Sequence, residues 1–190
     1  LIGHRGHPEV VGIQGQIKAD LIIVENEKEA HELKIDDNSD IAYVTQTTLS
    51  IDDTKNIINI IKKKYPKIIG PDLNDICYAT QNRQVAVSSL AENSDLVLVI
   101  GAENSSNTKR LAEIVKKKNI RAYRISNVNE IQKDWLTDIN TIGITAGASS
   151  PEILISEVIS FLKEIFEEIN IETMEGVKET IKFKPLLKFT

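Results

Sequence analysis

The chain has 190 residues, of which 41% are hydrophobic and 27% charged, and its formal net charge is −5 at pH 7. This composition is typical of a soluble globular chain, and the acidic balance argues against nucleic acid as a main partner, because phosphate backbones are bound by basic surfaces. No apolar run approaches the roughly 20 residues of a membrane helix, so no membrane partner is expected. A single cysteine excludes an intramolecular disulfide, so a bacterial-type cytoplasm is the expected location, with a plastid left open.

The first part of the chain alternates short apolar runs with polar helical segments. Residues 1–3, 21–24 and 41–44 predict strands, and residues 25–33 predict a polar helix. Ser50 is expected to cap the next helix, which ends near Tyr65-Pro66. The predicted buried side of that helix consists of Ile57, Ile58, Ile60 and Ile61.

The second part of the chain repeats this alternation with a stronger central strand. Residues 95–100 are apolar on both faces, as a central parallel strand should be, and residues 121–125 and 141–145 predict its neighbours. Helices are expected from the cysteine segment to about residue 93, from the turn at 105–107 to residue 118, and from the turn at 149–151 to about residue 170.

This order of elements predicts an α/β fold with mostly parallel sheets. We expect two small three-layer αβα domains, over residues 1–70 and 71–190. The second domain includes a carboxyl-terminal tail at 171–190, in which residues 178–184 predict an edge strand.

The turns at the carboxyl ends of these strands are the expected ligand sites, because parallel sheets bind ligands there. Two turns, 105–107 and 149–151, place serine or asparagine at a helix start, where unpaired N–H groups and the helix dipole attract anions. Gly101 and Gly147 would let the backbones approach closely. The alternative is that these polar residues only cap their helices.

Two other segments have several possible roles. Cys77 is either a reactive thiol, one ligand of a metal cluster or a buried small hydrophobe, and composition alone favours the last. His4, His7 and Glu9 are too few for a zinc site, which takes about four ligands. His7 is better interpreted as a donor to an anion and Glu9 as a proton donor, unless the segment is only a polar helix start.

Five stretches together resemble a known family. In order and approximate spacing they resemble the LytB-type 4-hydroxy-3-methylbut-2-enyl diphosphate reductases, which end the methylerythritol phosphate route to isoprenoids. The stretches are LIGHRGHPEV at 1–10, TQTTLS at 45–50, DIC at 75–77 with ATQNRQ at 79–84, NSSN at 104–107, and TAGAS at 145–149 with Pro151.

The resemblance implies a reductive dehydroxylation that yields isopentenyl and dimethylallyl diphosphates. It implies a [4Fe-4S] cluster held by three cysteines, with Cys77 matching the third, and electrons from a ferredoxin or flavodoxin. Glu9 matches the carboxylate that delivers protons, and Thr47 matches the threonine that binds the substrate's hydroxyl. The residues that match the family's diphosphate-binding positions are His7, Ser105, Ser106, Asn107 and Ser149.

The chain departs from the family in length. The family has three αβ domains, and this chain resembles the last two, without the domain that carries the other two cluster cysteines. We therefore expect a fragment that lacks full activity alone. The alternatives are a non-catalytic diphosphate-binding module and, less favoured, a thiol enzyme with Cys77 as nucleophile.

Overall fold

The computed structural model describes residues 1–36 and 39–177. We refer to residues 1–77 as the amino-terminal half and to residues 78–177 as the carboxyl-terminal half. Helices alternate with extended segments in both halves, and every strand pairing between described residues is parallel. The predicted α/β class with parallel sheets is therefore confirmed.

A three-stranded parallel sheet forms the centre of the carboxyl-terminal half. Its strands are β1 (Leu96–Ile100), β2 (Arg121–Ile125) and β3 (Ile142–Ala146), in the order β2-β1-β3. In register, Leu98 lies opposite Tyr123 on one side and Ile144 on the other. All five β1 residues are fully buried, which explains the uninterrupted apolar run in the sequence.

Helices cover both faces of this sheet. On one face, Val97 and Val99 pack with residues of α4 (Tyr78–Glu92) and α5 (Ser106–Lys117). On the other face, Leu96, Leu98 and Ile100 pack with residues of α6 (Glu152–Ile165). Successive β1 side chains point to opposite faces, so the strand joins two cores. The carboxyl-terminal half thus has the predicted three layers.

In the amino-terminal half, the predicted strands are shorter than expected. Ile2 forms isolated parallel bridges with Val24 and Thr45, and Ala42 forms one with Ile69. The predicted strands at 1–3, 21–24 and 41–44 are therefore wrong as regular strands, because each segment pairs over only one or two residues before it turns away. The bridges between these segments are nevertheless parallel, as predicted.

Helices lie on both sides of these bridged segments. Ile2 packs in a core cluster with residues of α2 (Glu27–Glu32) and α3 (Ile51–Lys64). The adjacent Gly3 faces the opposite way, where a Cβ atom would lie 2.8 Å from Val10 of α1 (Pro8–Gln16). The predicted inner positions of α3 are confirmed for Ile57, Ile58 and Ile61, whereas Ile60 is only partly buried.

Two features after β2 were not predicted. Short 3₁₀ helices lie at Val128–Glu130 and Lys133–Leu136, and the second places Trp135 flat against Tyr123, with ring centroids 3.9 Å apart. In addition, α6 ends at Ile165 and not near residue 170, because the next residue, Phe166, is extended and packs against the core beneath the sheet.

The two halves pack against each other through polar contacts. Ile76, near the end of the amino-terminal half, still packs in that half's core. Asp53 in the first turn of α3 pairs with Arg110 and Lys117 of α5, at 3.6 and 3.3 Å. The domain boundary at residues 70 and 71 stays a prediction, and the edge strand predicted at 178–184 lies outside the described residues.

None of the helices in the described part of the chain combines the length and apolar character that crossing a bilayer requires.

Candidate functional site

A cavity of about 300 Å³ lies where the two halves meet. It opens at the carboxyl ends of β1 and β3, beside the turns that lead into α5 and α6. Seven of the eight residues predicted for the site line it, and the eighth, Glu9, contacts one of them. The lining residues are His7, Thr47, Thr48, Cys77, Thr80, Ser105, Ser106, Asn107, Ala148 and Ser149.

Glu9 and Thr47 form a pair. The backbone N–H of Thr47 donates to Glu9 Oε1 at 2.8 Å, and the Thr47 hydroxyl donates to Glu9 Oε2 at 3.1 Å. Glu9 is in the first turn of α1, where Pro8 at the first position sets the helix start. The two residues predicted to act at the substrate's hydroxyl are thus brought together across 38 positions of sequence.

His7 connects the start of α1 to the start of α5. Its Nδ1 atom accepts the backbone N–H of Glu9 at 3.2 Å, and its Nε2 atom lies 2.7 Å from the Ser106 hydroxyl oxygen. Because an amide N–H can only donate, Nδ1 is an acceptor, and a neutral His7 carries its proton on Nε2. The ring then donates to Ser106 Oγ, which leaves the serine hydrogen free to point toward a ligand.

The ends of several helices converge on the cavity. The N-cap residues of α1, α4 and α5, namely His7, Cys77 and Ser105, all line it. Among the described lining residues there is neither lysine nor arginine. Positive potential at this site would therefore come from unpaired first-turn N–H groups and helix dipoles, which is an arrangement that suits an anion.

The start of α5 is closely packed against two glycines. A Cβ atom on Gly101 would lie 2.4 Å from Thr108 Oγ1, and one on Gly147 would lie 2.6 Å from the same atom. Any larger residue at either position would force the Thr108 side chain to move, whereas the close approach of the two glycine backbones to an anion stays a prediction. The Ser105 hydroxyl accepts the backbone N–H of Thr108 at 3.2 Å, which is the capping role proposed as the alternative. Capping uses the oxygen and not the serine hydrogen, so both roles are compatible.

Asn107 has a buried side chain without a partner. It is 6% exposed, and within the described structure neither its amide nitrogen nor its amide oxygen has a hydrogen-bond partner. Leaving a buried polar group unpaired costs about 1–3 kcal/mol, so such groups require an explanation. Since Asn107 lines the cavity, both of its amide atoms are available to whatever occupies that space.

Ser149 also lines the cavity and is exposed. Its neighbour Ser150 donates to the backbone oxygen of Ile100 at 3.0 Å, which anchors the turn to the end of β1. The first residue of α6 follows two positions later, and its N-cap, Pro151, provides no side-chain cap. The turn therefore presents Ser149 to the cavity from a rigid base.

Cys77 is exposed, so the interpretation as a buried hydrophobe is wrong. It precedes α4 without a side-chain capping bond, and its backbone N–H donates to Thr47 at 3.0 Å. A thiol nucleophile needs a base. Among the described lining residues that base would be His7, whose two ring nitrogens are already engaged.

An ion-pair cluster lies on the loop that leads into α1. The Arg5 guanidinium holds Glu25 and Glu29. The backbone N–H and then the side chain of Arg5 hold the pKa of Glu25 below its ordinary value, and the Arg5 side chain does the same for Glu29. This cluster fixes the loop between Gly3 and α1 at its outer end.

A family model described as LytB protein matches residues 1–163. The chain belongs to the LytB family. The resemblance found in the sequence is thereby confirmed.

Curated relatives of the LytB family are closely similar to this chain. The 4-hydroxy-3-methylbut-2-enyl diphosphate reductase of Anaplasma marginale (strain St. Maries) is 50% identical over 184 residues, which cover 97% of this chain and 54% of that protein. The protein of the same name from Mannheimia succiniciproducens is 51% identical over 187 residues, which cover 97% of this chain and 59% of that protein. The chain thus spans little more than half the length of these relatives.

A solved structure supports the fold. The E-1-hydroxy-2-methyl-but-2-enyl-4-diphosphate reductase from Plasmodium falciparum matches with a TM-score of 0.80 at 35% identity, covering 85% of this chain and 51% of that chain. The LytB fold therefore extends over most of the residues described here.

Sequence reasoning missed three residues of this LytB cavity. Thr48, Thr80 and Ala148 line it beside predicted neighbours. Thr80 could have been found, because it lies three positions after Cys77 and so falls on the same side of a helix that begins there. Thr48 lies in the polar turn at 46–48, one of the turns expected to bind a ligand, although only Thr47 in it was given a role. For Ala148 the sequence offers no comparable pattern.

Proposed function

We propose that this chain forms part of a reductase that removes the hydroxyl group of 4-hydroxy-3-methylbut-2-enyl diphosphate. In the overall reaction the carbon–oxygen bond breaks, the hydroxyl takes a proton and leaves as water, and two electrons with a second proton complete isopentenyl or dimethylallyl diphosphate. The observation that carries the proposal is the unpartnered Asn107 side chain, buried in a cavity where helix starts converge.

The diphosphate would lie at the start of α5. Ser105, Ser106 and Asn107 offer hydroxyl and amide donors there, and first-turn N–H groups add to them. His7 supports this end indirectly through its 2.7 Å contact with Ser106. Ser149, in the turn that leads into α6, lines the same cavity. The diphosphate would thus be held by neutral donors and helix dipoles.

The substrate's hydroxyl would lie at the Thr47 end of the cavity. With Glu9 protonated, its carboxyl would donate to Thr47 Oγ and the Thr47 hydroxyl would donate to the substrate's hydroxyl oxygen, so the proton with which that oxygen leaves comes from Glu9. The backbone N–H of Thr47 also holds Glu9 in place, so the carboxyl group keeps its orientation while its protonation changes. Thr47 and Glu9 therefore act as one unit.

A [4Fe-4S] cluster does not fit the residues of this chain alone. Such clusters take three or four protein ligands, and this sequence contains one cysteine. No group of three or more metal-binding side chains occurs among the described residues. Cys77, exposed at the cavity wall, would supply one thiolate, so the remaining ligands would have to come from outside these 190 residues. A ferredoxin or flavodoxin in a bacterial-type cytoplasm is the electron donor we propose for the whole protein.

Titration with inorganic pyrophosphate tests the diphosphate site in this chain directly. Asn107→Leu should weaken binding by about 1–3 kcal/mol, because a charged acceptor loses a donor. Thr45→Val is the matched control, since the Thr45 hydroxyl is also buried and unpartnered but does not line the cavity. Calorimetry should show weaker binding only for Asn107→Leu; equal affinity in all three proteins would overturn the site.

A test of Glu9 as the acid requires a protein extended to the length of the curated relatives. In that protein Glu9→Gln should lower turnover and leave diphosphate affinity in place, because the amide keeps the contact with Thr47 but cannot give up a proton. Full turnover in this variant would remove Glu9 from the mechanism.

A diphosphate-binding module without redox activity is the second candidate, favoured by the single thiolate. Anaerobic reconstitution with iron and sulfide, on this chain and on the extended protein, separates the two. A cluster in the extended protein supports the reductase. The absence of a cluster in both, together with pyrophosphate binding, supports the module.

A further inference from the structure

We propose that Gln84 is a positioning residue that sets the distance between Thr47 and Cys77. The proposal rests on the function proposed above, in which Thr47 binds the substrate's hydroxyl and Cys77 supplies a thiolate at the wall of the same cavity. Gln84 itself does not line the cavity, and its side chain is 5% exposed on the buried side of α4.

Gln84 connects α4 to the turn that follows Thr47. Its Nε2 atom donates to the backbone oxygen of Leu49 at 2.7 Å, and its Oε1 atom accepts the backbone N–H of Ile51 at 3.2 Å. One side chain thus satisfies a carbonyl before α3 and an N–H in its first turn. The contact spans 35 residues of sequence between Gln84 and Leu49, so it is a tertiary and not a local bond.

Two further hydrogen bonds join the same two segments of the chain. The backbone N–H of Thr45 donates to Asp75 Oδ2 at 2.9 Å, and the N–H of Cys77 donates to the Thr47 oxygen at 3.0 Å. We call these four bonds the seam, which joins residues 45–51 to residues 75–84. Thr47 and Cys77 lie in its middle, with Asp75 at one end and Gln84 at the other.

The seam explains how two exposed residues of separate segments keep a fixed separation. The Cys77 N–H bond alone would let the two segments pivot about one contact. Asp75 and Gln84 add fixed points on either side, and Gln84 lies seven residues, or about two helical turns, beyond Cys77. Because α4 is continuous from Tyr78, it connects the Gln84 contact rigidly to Cys77 at its start.

The chemistry of the contact requires glutamine. An amide N–H can only donate and a backbone carbonyl can only accept, so the site needs one acceptor and one donor side by side. Glutamate would place a second oxygen against the Leu49 carbonyl, and methionine would fill the space without either bond. Gln84→Met therefore removes the connection while keeping much of the side chain's volume.

Amide hydrogen exchange tests the seam without any ligand. In Gln84→Met, the Cys77 N–H should exchange about fivefold faster or more, the factor that corresponds to one net hydrogen bond. A local role confined to α3 would accelerate exchange at Ile51 alone. The control is Ser89→Ala, an exposed α4 residue whose hydroxyl contacts only its own helix. Unchanged exchange at Cys77 in Gln84→Met would overturn the proposal.

Ligand selectivity is a second readout, and a loss of folding stability alone would not change it. The wild-type chain should bind 4-hydroxy-3-methylbut-2-enyl diphosphate about two- to tenfold more tightly than isopentenyl diphosphate, through one extra hydrogen bond at Thr47. Gln84→Met should bring this ratio close to one, with the affinity for inorganic pyrophosphate unchanged within twofold. A ratio that stays at the wild-type value would overturn the positioning role.

The outcomes also separate this proposal from the proposed function. If the wild-type chain binds none of the three diphosphates, the diphosphate site proposed for this chain fails, and the exchange experiment alone decides the seam. If Gln84→Met does not fold, Asp75→Leu and Asp75→Asn replace it. Asparagine keeps an oxygen for the Thr45 N–H, so only Asp75→Leu should loosen the Cys77 amide, and equal exchange in both would overturn the seam.

Discussion

The two halves of the molecule position their cavity residues in different ways. The carboxyl-terminal half builds on one fully buried strand, β1, and its turns follow from the regular sheet. In the amino-terminal half, single bridges are supported by side chains that bond to backbone, such as Tyr65, which accepts the N–H of Ile35 at 2.9 Å and donates to the Leu33 oxygen at 3.0 Å. In the function we propose, the groups that would bind the anion come mainly from the regular half, and the groups that would handle a proton come from the irregular one.

This difference shows what each kind of site requires. An anion can be bound by helix ends, which a parallel sheet delivers at one edge. A carboxyl group that must face a particular hydroxyl needs a specific partner, and here Thr47 holds Glu9 through two bonds. Four substitutions test the contrast, from the largest expected effect to the smallest.

Leu98→Ala should have the largest effect. Leu98 is fully buried at the centre of β1, so truncation removes apolar contact and leaves a cavity, at a cost of about 2–5 kcal/mol of unfolding free energy. Denaturant unfolding measures it. A loss below 1 kcal/mol would mean that the sheet is not the main source of stability in this half.

Tyr65→Phe should have an intermediate effect in the other half. The substitution keeps the buried ring but leaves the Ile35 N–H and the Leu33 oxygen without their partner, which costs about 1–3 kcal/mol. Chemical denaturation followed by circular dichroism measures the loss. An unchanged midpoint would show that polar side chains do not hold the amino-terminal half together.

Asp95→Asn should have a smaller, pH-dependent effect at the start of β1. The backbone N–H groups of Asn140 and Thr141 hold the pKa of Asp95 below its ordinary value of 3.8. A lowered folded-state pKa stabilises the protein above the unfolded value, and this contribution disappears as the pH falls through the folded value. The difference in melting temperature between wild type and Asp95→Asn should be constant above about pH 4 and should shrink below it.

Arg5→Met should have the smallest effect, because its ion pairs are exposed. The Arg5 side chain is the first cause of the lowered pKa of Glu29, so it implies a contribution that is present above the ordinary value of 4.5 and lost as the pH falls through the folded value. The Arg5 backbone N–H, which is the first cause of the lowered pKa of Glu25, remains in Arg5→Met. Melting temperatures at pH 3 to 7 should show a wild-type advantage only at the upper end. High salt should reduce it, whereas a salt-independent advantage would contradict an electrostatic origin.

The sequence predicted the regular half better than the irregular one. The strand predicted at 95–100 contains an uninterrupted apolar run at 96–100, and that run became β1, Leu96–Ile100. Short runs such as 21–24 look equally apolar, but whether they extend into a ladder depends on neighbours far away in sequence. The end of α6 was missed for a similar reason, since the core contact of Phe166 has no local pattern.

For the candidate site, the sequence predicted types of residue and the resemblance supplied their roles. Polar groups at helix starts indicated an anion site in advance. The contact of Glu9 with Thr47 and that of His7 with Ser106 join residues 38 and 99 positions apart, which no spacing rule gives. The unpartnered state of Asn107 is likewise visible only once the surrounding atoms are in place.

The stacking of Trp135 on Tyr123 has a practical consequence. Trp135 is the single tryptophan of the sequence, and it lies against β2 in the carboxyl-terminal half. Its intrinsic fluorescence is thus a spectroscopic reporter of one half, whereas far-ultraviolet circular dichroism sums the helices of both. Coincident melting curves from the two methods would show that the halves unfold as one cooperative unit, and separated curves would give each half its own transition.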